Sequence, residues 1–187
     1  MEPEKAVICQ GERFRLFLDA ETIRDRICAL GTQISKDFEG KTPILVGVLN
    51  GAFMFMADLM RAISIDCEAD FLKLSSYGAQ KVSSGDVREL KRIDANVKGR
   101  HVIIVEDIVD TGLSMEFMLA LMREREPASV RIATFLHKQE ATQVDLPLDY
   151  VGFTIPNLFV IGYGLDYGQL ARNLPDVYIL DERGITG

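Results

Sequence analysis

The chain of 187 residues suits one domain, at roughly 100–200 residues per domain, and its 48% apolar and 26% charged residues exclude a disordered tail, a collagen-like fibre and a membrane channel. Twenty-eight acidic against 21 basic side chains leave a net charge of −7, which argues against nonspecific nucleic-acid binding and still permits a local basic pocket. Cys9, Cys28 and Cys67 lack metal-ligand spacing and read as reduced thiols of a cytoplasmic protein; the polar start Met1–Lys5 shows no secretory pattern, and no run reaches the ~18 apolar residues of a membrane span.

Ile23, Ile27, Leu30 and Ile34 recur at helical spacing and predict a first helix over about Asp19–Phe38, with Asp19 as its N-cap. Ile44–Leu49 reads as a buried strand, and Asn50-Gly51 turns it into an apolar helix over about Ala52–Ile63. Glu68–Leu74 reads as a strand. Residues 75–88 carry few apolar anchors and read as a mobile loop or an irregular hairpin. The strongest strand is His101–Val105, followed by a loop, a helix over about Ser114–Arg125 and a strand over Ser129–Leu136. Tyr150–Phe153, Leu158–Ile161 and Val177–Leu180 are short further strands. Such alternation predicts a mostly parallel α/β sheet flanked by helices, with ligands outside the carboxyl ends of its strands.

The segment Val102-Ile103-Ile104-Val105-Glu106-Asp107-Ile108-Val109-Asp110-Thr111-Gly112-Leu113-Ser114 stands at such an end. A helix N-terminus offers unpaired N–H groups and a partial positive charge, so it can hold a phosphate. Gly112 lets the backbone approach the anion, and Thr111 and Ser114 add hydroxyls. Glu106 and Asp107 would repel a bare phosphate. Carboxylates instead accept hydrogen bonds from sugar hydroxyls or bind Mg²⁺. The parts together describe a pocket for a sugar phosphate with a metal nearby. The bland alternative is a solvated acidic loop.

This turn resembles the phosphoribosyl-diphosphate signature of the type I phosphoribosyltransferases, and its form Val-Glu-Asp-Ile-Val-Asp-Thr-Gly is nearest the hypoxanthine-guanine branch. Further segments follow in the family's order. Val48-Leu49-Asn50-Gly51-Ala52-Phe53 resembles its pyrophosphate loop, where the Leu49–Asn50 peptide is often cis. Ser76-Tyr77-Gly78 resembles its lid, and His137-Lys138 falls where a purine-contacting lysine is expected. Asn157 to Tyr167 resembles its purine and metal segment.

The resemblance implies one phosphoribosyltransferase domain over 1–187, with a small hood from about 1–18 and 150–187 and a lid over about 75–88. It implies purine salvage: transfer of a 6-oxopurine, hypoxanthine or guanine, onto 5-phosphoribosyl 1-diphosphate, releasing pyrophosphate. The backbone of Asp110, Thr111, Gly112, Leu113 and Ser114 holds the 5′-phosphate, and Glu106 and Asp107 hold the ribose hydroxyls, directly or through Mg²⁺. Asp110 is also the catalytic base or partner at purine N7. Lys138, Phe159, Val160 and Asp166 form the purine side, where Lys138 meets the 6-oxo group and Phe159 stacks on the ring. Asp166 joins Glu106 and Asp107 as a metal ligand. Leu49, Asn50, Gly51 and Arg172 contact the pyrophosphate, and Ser76 and Tyr77 close the lid. The implied partners are these two substrates and a second copy of the chain, as a homodimer or homotetramer, with no nucleic acid and no membrane.

Two residues depart from the family pattern. Asn50 stands where many relatives carry Lys or Arg, which removes a charge from the pyrophosphate loop, and Leu113 replaces a polar residue.

Taken singly, the residues have plainer readings. Lys138 is by default a surface lysine, Phe159 a core residue, and Asp166 with Arg172 a surface ion pair. Phe53-Met54-Phe55-Met56 serves a dimer face or the core equally well. Arg88, Lys91, Arg92 and Lys98 read as a solvated edge. The spacing of Gly162, Gly164 and Gly168 misses a dinucleotide fingerprint by one position, and no Walker, His-Glu-x-x-His or Gly-x-Ser-x-Gly motif occurs. A regulator on the same fold that binds RNA, and a transferase for xanthine, are the competing functions.

Overall fold

The computed structural model describes residues 5–74 and 89–181; the lid residues Ser76 and Tyr77 lie outside them. Two strands open the chain, β1 (Ala6–Cys9) and β2 (Glu12–Leu18), followed by α1 (Ala20–Asp37), β3 (Ile44–Val48), α2 (Phe53–Ala62), β4 (Glu68–Leu74), β5 (Glu89–Lys91) and β6 (His101–Val109). The remaining elements are α3 (Leu113–Arg123), β7 (Ser129–His137), β8 (Tyr150–Thr154), β9 (Val160–Ile161) and β10 (Val177–Leu180).

The larger sheet has the order β5-β4-β3-β6-β7-β8. All its pairings are parallel except β4 with β5. Helices cover both faces, so its central strands lose alternation. Ile44, Leu45 and Val46 of β3 and Val102 to Val105 of β6 are all inaccessible to solvent. On one face, α1 and α2 pack Ile27, Leu30, Ile34, Phe55 and Leu59 against Leu45, Ile103 and Phe135. On the other, α3 packs Met115, Met118 and Met122 against Val46, Ile104 and Ile132. Each fully buried aliphatic side chain contributes about 1.5–3 kcal/mol of transfer free energy, so this two-sided packing dominates the stability of the scaffold.

Asp19 caps α1 as its spacing predicts, its Oδ1 accepting the Thr22 N–H at 2.8 Å. β6 differs from the prediction. It continues through Glu106 and Asp107 to Val109, because β7 offers a matching ladder that pairs Glu106 with Thr134 and Ile108 with Leu136. The carboxylates therefore sit on the last turn of a paired strand instead of a free loop.

The smaller, antiparallel sheet has the order β1-β2-β10-β9. Sequence reading passes over β1, β2 and β5 and starts β9 two residues early. It also counts residues from about 150 in the hood; Tyr150–Thr154 pairs in parallel with β7 as an edge of the larger sheet, and of the strands from residue 150 on, β9 and β10 belong to the small sheet. Arg26 of α1 fixes that edge by donating to the Val151 and Gly152 carbonyls at 2.5 and 2.8 Å. Asp176, 2% exposed, clamps the small sheet to α1; it accepts from the Ala20 N–H at 2.8 Å, the Tyr178 hydroxyl at 2.9 Å and the Lys5 ammonium at 2.5 Å. Lys91 lies on the edge strand β5 with its side chain 38% exposed, and its ammonium reaches Asp70, Asp94 and the Phe71 carbonyl. The three cysteines are unpaired. Among the described residues no helix is long and apolar enough to cross a membrane.

Candidate active site

The carboxyl ends of β3, β6 and β7 and the segment 162–172 meet at one rim of the larger sheet. The first part of the site is a cup between β6 and α3. Gly112 takes φ +85° and is the N-cap of α3, with no side chain bonded to the helix end, so first-turn N–H groups remain available to an anion. A methyl on Gly112 would lie 2.7 Å from Val144 and 2.8 Å from Leu146, so both its conformation and its surroundings demand glycine. A cavity of about 100 Å³ opens here, lined among others by Glu106, Asp110, Thr111, Gly112 and Ser114. Leu113 starts α3 beside the cup, so its apolar side chain leaves the amides of the turn in place.

The second part is acidic. Glu106 and Asp107 lie together, and the Glu106 carboxyl is raised well above its usual range by desolvation first, then by the Asp107 charge and a hydrogen bond between the two. Asp107 rests on the pyrophosphate-type loop: a methyl on Gly51 would fall 1.6 Å from Asp107 Oδ2. The Leu49–Asn50 peptide is cis. The Leu49 N–H donates to the Leu72 carbonyl at 2.8 Å, which seats the loop on β4. A methyl on Gly164 would meet the Gly51 carbonyl oxygen at 2.2 Å, so the loop and the 162–172 segment touch backbone to backbone.

That segment presents the third part. The Arg172 guanidinium donates to the Gly164 carbonyl at 2.7 Å and pairs with Asp166 at 2.7 Å. Asp166 also accepts the Gln169 N–H at 2.7 Å. The two side chains are mostly covered, so the pair is not the loose surface contact of the plain reading. Tyr163 holds the segment on α2 through its hydroxyl, which donates to Asp58 at 2.7 Å; burial and that carboxylate push its phenol far up.

Across the cup, Lys138 is mostly buried, and its ammonium donates to Asp110 Oδ2 at 2.9 Å. The residue proposed for the purine oxygen and the residue proposed for purine N7 thus hold each other. Phe159 is half exposed, and its ring contacts are Phe14 of the small sheet at 6.1 Å and Tyr167 of the 162–172 segment at 5.4 Å; Val160 follows it, buried in β9. The structure brings Glu106, Asp107, Gly51, Asp166 and Arg172 into one connected patch and Asp110 with Lys138 into another. Phe159 stays with the aromatic trio.

Sequence reading misses three neighbours of the site. Lys73, near the end of β4, donates to Asn50 Oδ1 at 3.3 Å, so an ammonium stands beside the loop position that lacks one. Its place at the carboxyl rim of the strand next to β3 was the available signal. His137 and Thr142, treated below, carried none. Among the described residues no three His, Cys, Asp or Glu side chains gather into a metal cage. Mg²⁺ itself needs only one or two protein carboxylates, with waters and substrate oxygens completing its shell. Glu106 and Asp107 are hard oxygen donors facing each other, and Asp166 stands across the Gly51–Gly164 contact.

The profile of the phosphoribosyl transferase domain matches residues 17–168. A bifunctional protein TilS/HprT of Listeria monocytogenes is 41% identical over 166 residues, 89% of this chain and 26% of the relative; the chain spans about a quarter of that protein. A hypoxanthine-guanine phosphoribosyltransferase of Streptococcus thermophilus is 45% identical over 168 residues, 90% of this chain and 93% of the relative. A crystal structure of a hypoxanthine-guanine phosphoribosyltransferase from Bacillus anthracis, with a HEPES molecule in its active site, superposes with a TM-score of 0.85 at 40% identity and covers 89% of this chain and 98% of its own.

Proposed function

The chain belongs to the phosphoribosyltransferase family, and from that premise we propose that it transfers a 6-oxopurine, hypoxanthine or guanine, onto 5-phosphoribosyl 1-diphosphate to give the nucleoside 5′-monophosphate and pyrophosphate. The observation that carries the reading is the amide-lined cup at the start of α3 with Asp110 and Lys138 paired beside it. A 5′-phosphate and a purine edge need these two functions within one short span.

In this reading the turn from Asp110 to Ser114 holds the 5′-phosphate through backbone N–H groups. Glu106 and Asp107 take the ribose hydroxyls. Mg²⁺ would be held by Glu106 and Asp107 on the ribose side and by Asp166 on the pyrophosphate side, and when bound it neutralises the leaving diphosphate. Arg172 exchanges part of its contact with Asp166 for pyrophosphate oxygens, and the loop Leu49, Asn50 and Gly51 presents its backbone to the same group. Lys138 leaves Asp110 to donate to the purine 6-oxo oxygen. The released Asp110 carboxylate accepts the proton at N7. Phe159, half exposed, offers its ring face to the base, and the Val160 backbone meets the ring edge. The enzyme works in the cytoplasm as a homodimer or homotetramer.

A spectrophotometric assay of hypoxanthine, guanine and xanthine with 5-phosphoribosyl 1-diphosphate and Mg²⁺ tests the proposal. Hypoxanthine or guanine turnover is expected. Turnover of xanthine alone would change the base, and no turnover together with salt-sensitive RNA binding would favour the regulator.

A further inference from the structure

The Thr142 hydroxyl lies at the crossing of the two halves of the site. It is 3.0 Å from the Asp110 carbonyl oxygen, 3.0 Å from the Lys138 carbonyl oxygen and 3.1 Å from His137 Nε2. A hydroxyl carries one proton, and carbonyl oxygens only accept. If His137 Nε2 also accepted, both carbonyl contacts would compete for no remaining proton. His137 must therefore donate from Nε2–H to Thr142, whose own proton is shared by the two carbonyls. Burial lowers the His137 pKa, which favours the neutral ring.

The bond from Thr142 back to Lys138 is an ordinary local one, four residues long. The bond to Asp110 spans 32 residues and joins two strand ends. It is backed by a second stitch, the Gln143 N–H donating to the Thr111 carbonyl at 2.9 Å. The segment after β7 thus runs along the phosphate turn after β6: at its near end the Lys138 N–H donates to the Val109 carbonyl at 2.9 Å and the Lys138 ammonium to Asp110, and at its far end the Thr142 hydroxyl and the Gln143 N–H make the ties.

We propose that Thr142 is a positioning residue for transfer: its hydroxyl, oriented by His137, fixes the spacing between the turn that holds the phosphate and the backbone that aims Lys138. This rests on the functional reading above and assigns a role to a residue that touches neither substrate. Each substrate binds largely to its own half, so loss of the tie affects their mutual alignment more than either affinity. Alignment errors of about 1 Å can cost on the order of 10²-fold in rate.

The test is steady-state kinetics of wild type, Thr142→Val and Thr142→Ser, with melting temperatures measured alongside. Thr142→Val keeps the shape and the Gln143–Thr111 stitch. It is expected to lower kcat by about 10–10²-fold with both KM values within about threefold of wild type, while Thr142→Ser recovers most of kcat. Thr142→Ala takes its place should the valine not fold. A valine or alanine variant with kcat within about twofold of wild type overturns the proposal. So does a loss that serine does not relieve, or one seen in KM alone. A wild type that forms no nucleotide defeats the underlying reading itself, and the proposal with it.

Discussion

The two halves of this site are made of different material. The cup between β6 and α3 is built from backbone: a glycine at positive φ, helix N–H groups and a turn packed under Val144 and Leu146. The opposite half is built from charged side chains that already hold one another, Lys138 on Asp110 and Arg172 on Asp166. A backbone cradle needs little rearrangement to receive an anion. A paired side chain must first exchange a partner, so its ligand gains only the difference between the old contact and the new. Under the proposed function, the first half would supply affinity and the second selectivity, because a group that cannot replace the lost carboxylate or ammonium contact would be rejected.

Asp110 belongs to both halves, and its variant is expected to show the largest effect. Asp110→Asn keeps the turn and removes the proton acceptor, so kcat at saturating substrates should fall by about 10²–10⁴-fold. Near-normal turnover would deny the carboxylate its chemical part. Next is the cradle itself. Gly112→Ala places a methyl 2.7 Å from Val144 in a left-handed conformation that costs about 1–2 kcal/mol for L-residues, so the turn must shift. The donor KM should rise by about 10–10²-fold, while the purine KM changes little. Equal changes in both would show that the halves are not separable. Lys138→Ala should do the reverse, raising the purine KM by about tenfold, the worth of a charged hydrogen bond, with the donor KM nearly unchanged. An unchanged purine KM would remove Lys138 from the base.

The backbone half was also the half legible in the sequence. A four-residue apolar run, adjacent acids and a Gly at a helix mouth are contiguous, and each acts through local geometry. The same holds for α1, where Asp19 and the spacing of Ile23, Ile27, Leu30 and Ile34 settle both cap and buried face. What escaped was non-local. β6 runs past Glu106 because of its partner β7, although carboxylates are poor strand residues. β2 escapes sequence reading despite the alternation Arg13-Phe14-Arg15-Leu16 because its partner β10 lies over 150 residues away, whereas β1 pairs with β2 itself in a local hairpin that turns at Gln10-Gly11 and was open to a local reading. No spacing rule links Asn50 to Lys73, or Thr142 to Asp110. The side-chain half was reached through resemblance to a family; the residues alone left Lys138 a surface lysine.

The smallest expected effect concerns what holds the two sheets in register behind the site. Asp176 sits between α1 and the small sheet, and its carboxyl is held below the usual range: burial opposes this, and the hydrogen bonds from Lys5, the Ala20 N–H and the Tyr178 hydroxyl outweigh it. A group whose folded pKa is depressed gives stability that is present above its unfolded pKa of about 3.9 and is lost as pH falls through the folded value. The clamp should therefore be intact at neutral pH and fail in acid below about pH 4. Lys5 is 57% exposed, so solvent screens its share, and the two buried donors carry most of the effect. Asp176→Asn should cost about 1 kcal/mol at pH 7, a fall of about 2–4 °C in melting temperature for a chain of this size. The gap between variant and wild type should narrow as pH drops from about 5 to 3. A gap that stays constant over that range would show that the clamp acts by shape and not by charge. Because Asp176 lies outside the reacting patch, kcat at 25 °C should stay within about twofold of wild type; a larger loss would mean that the small sheet, with Phe159 on it, must be held still for the purine to react.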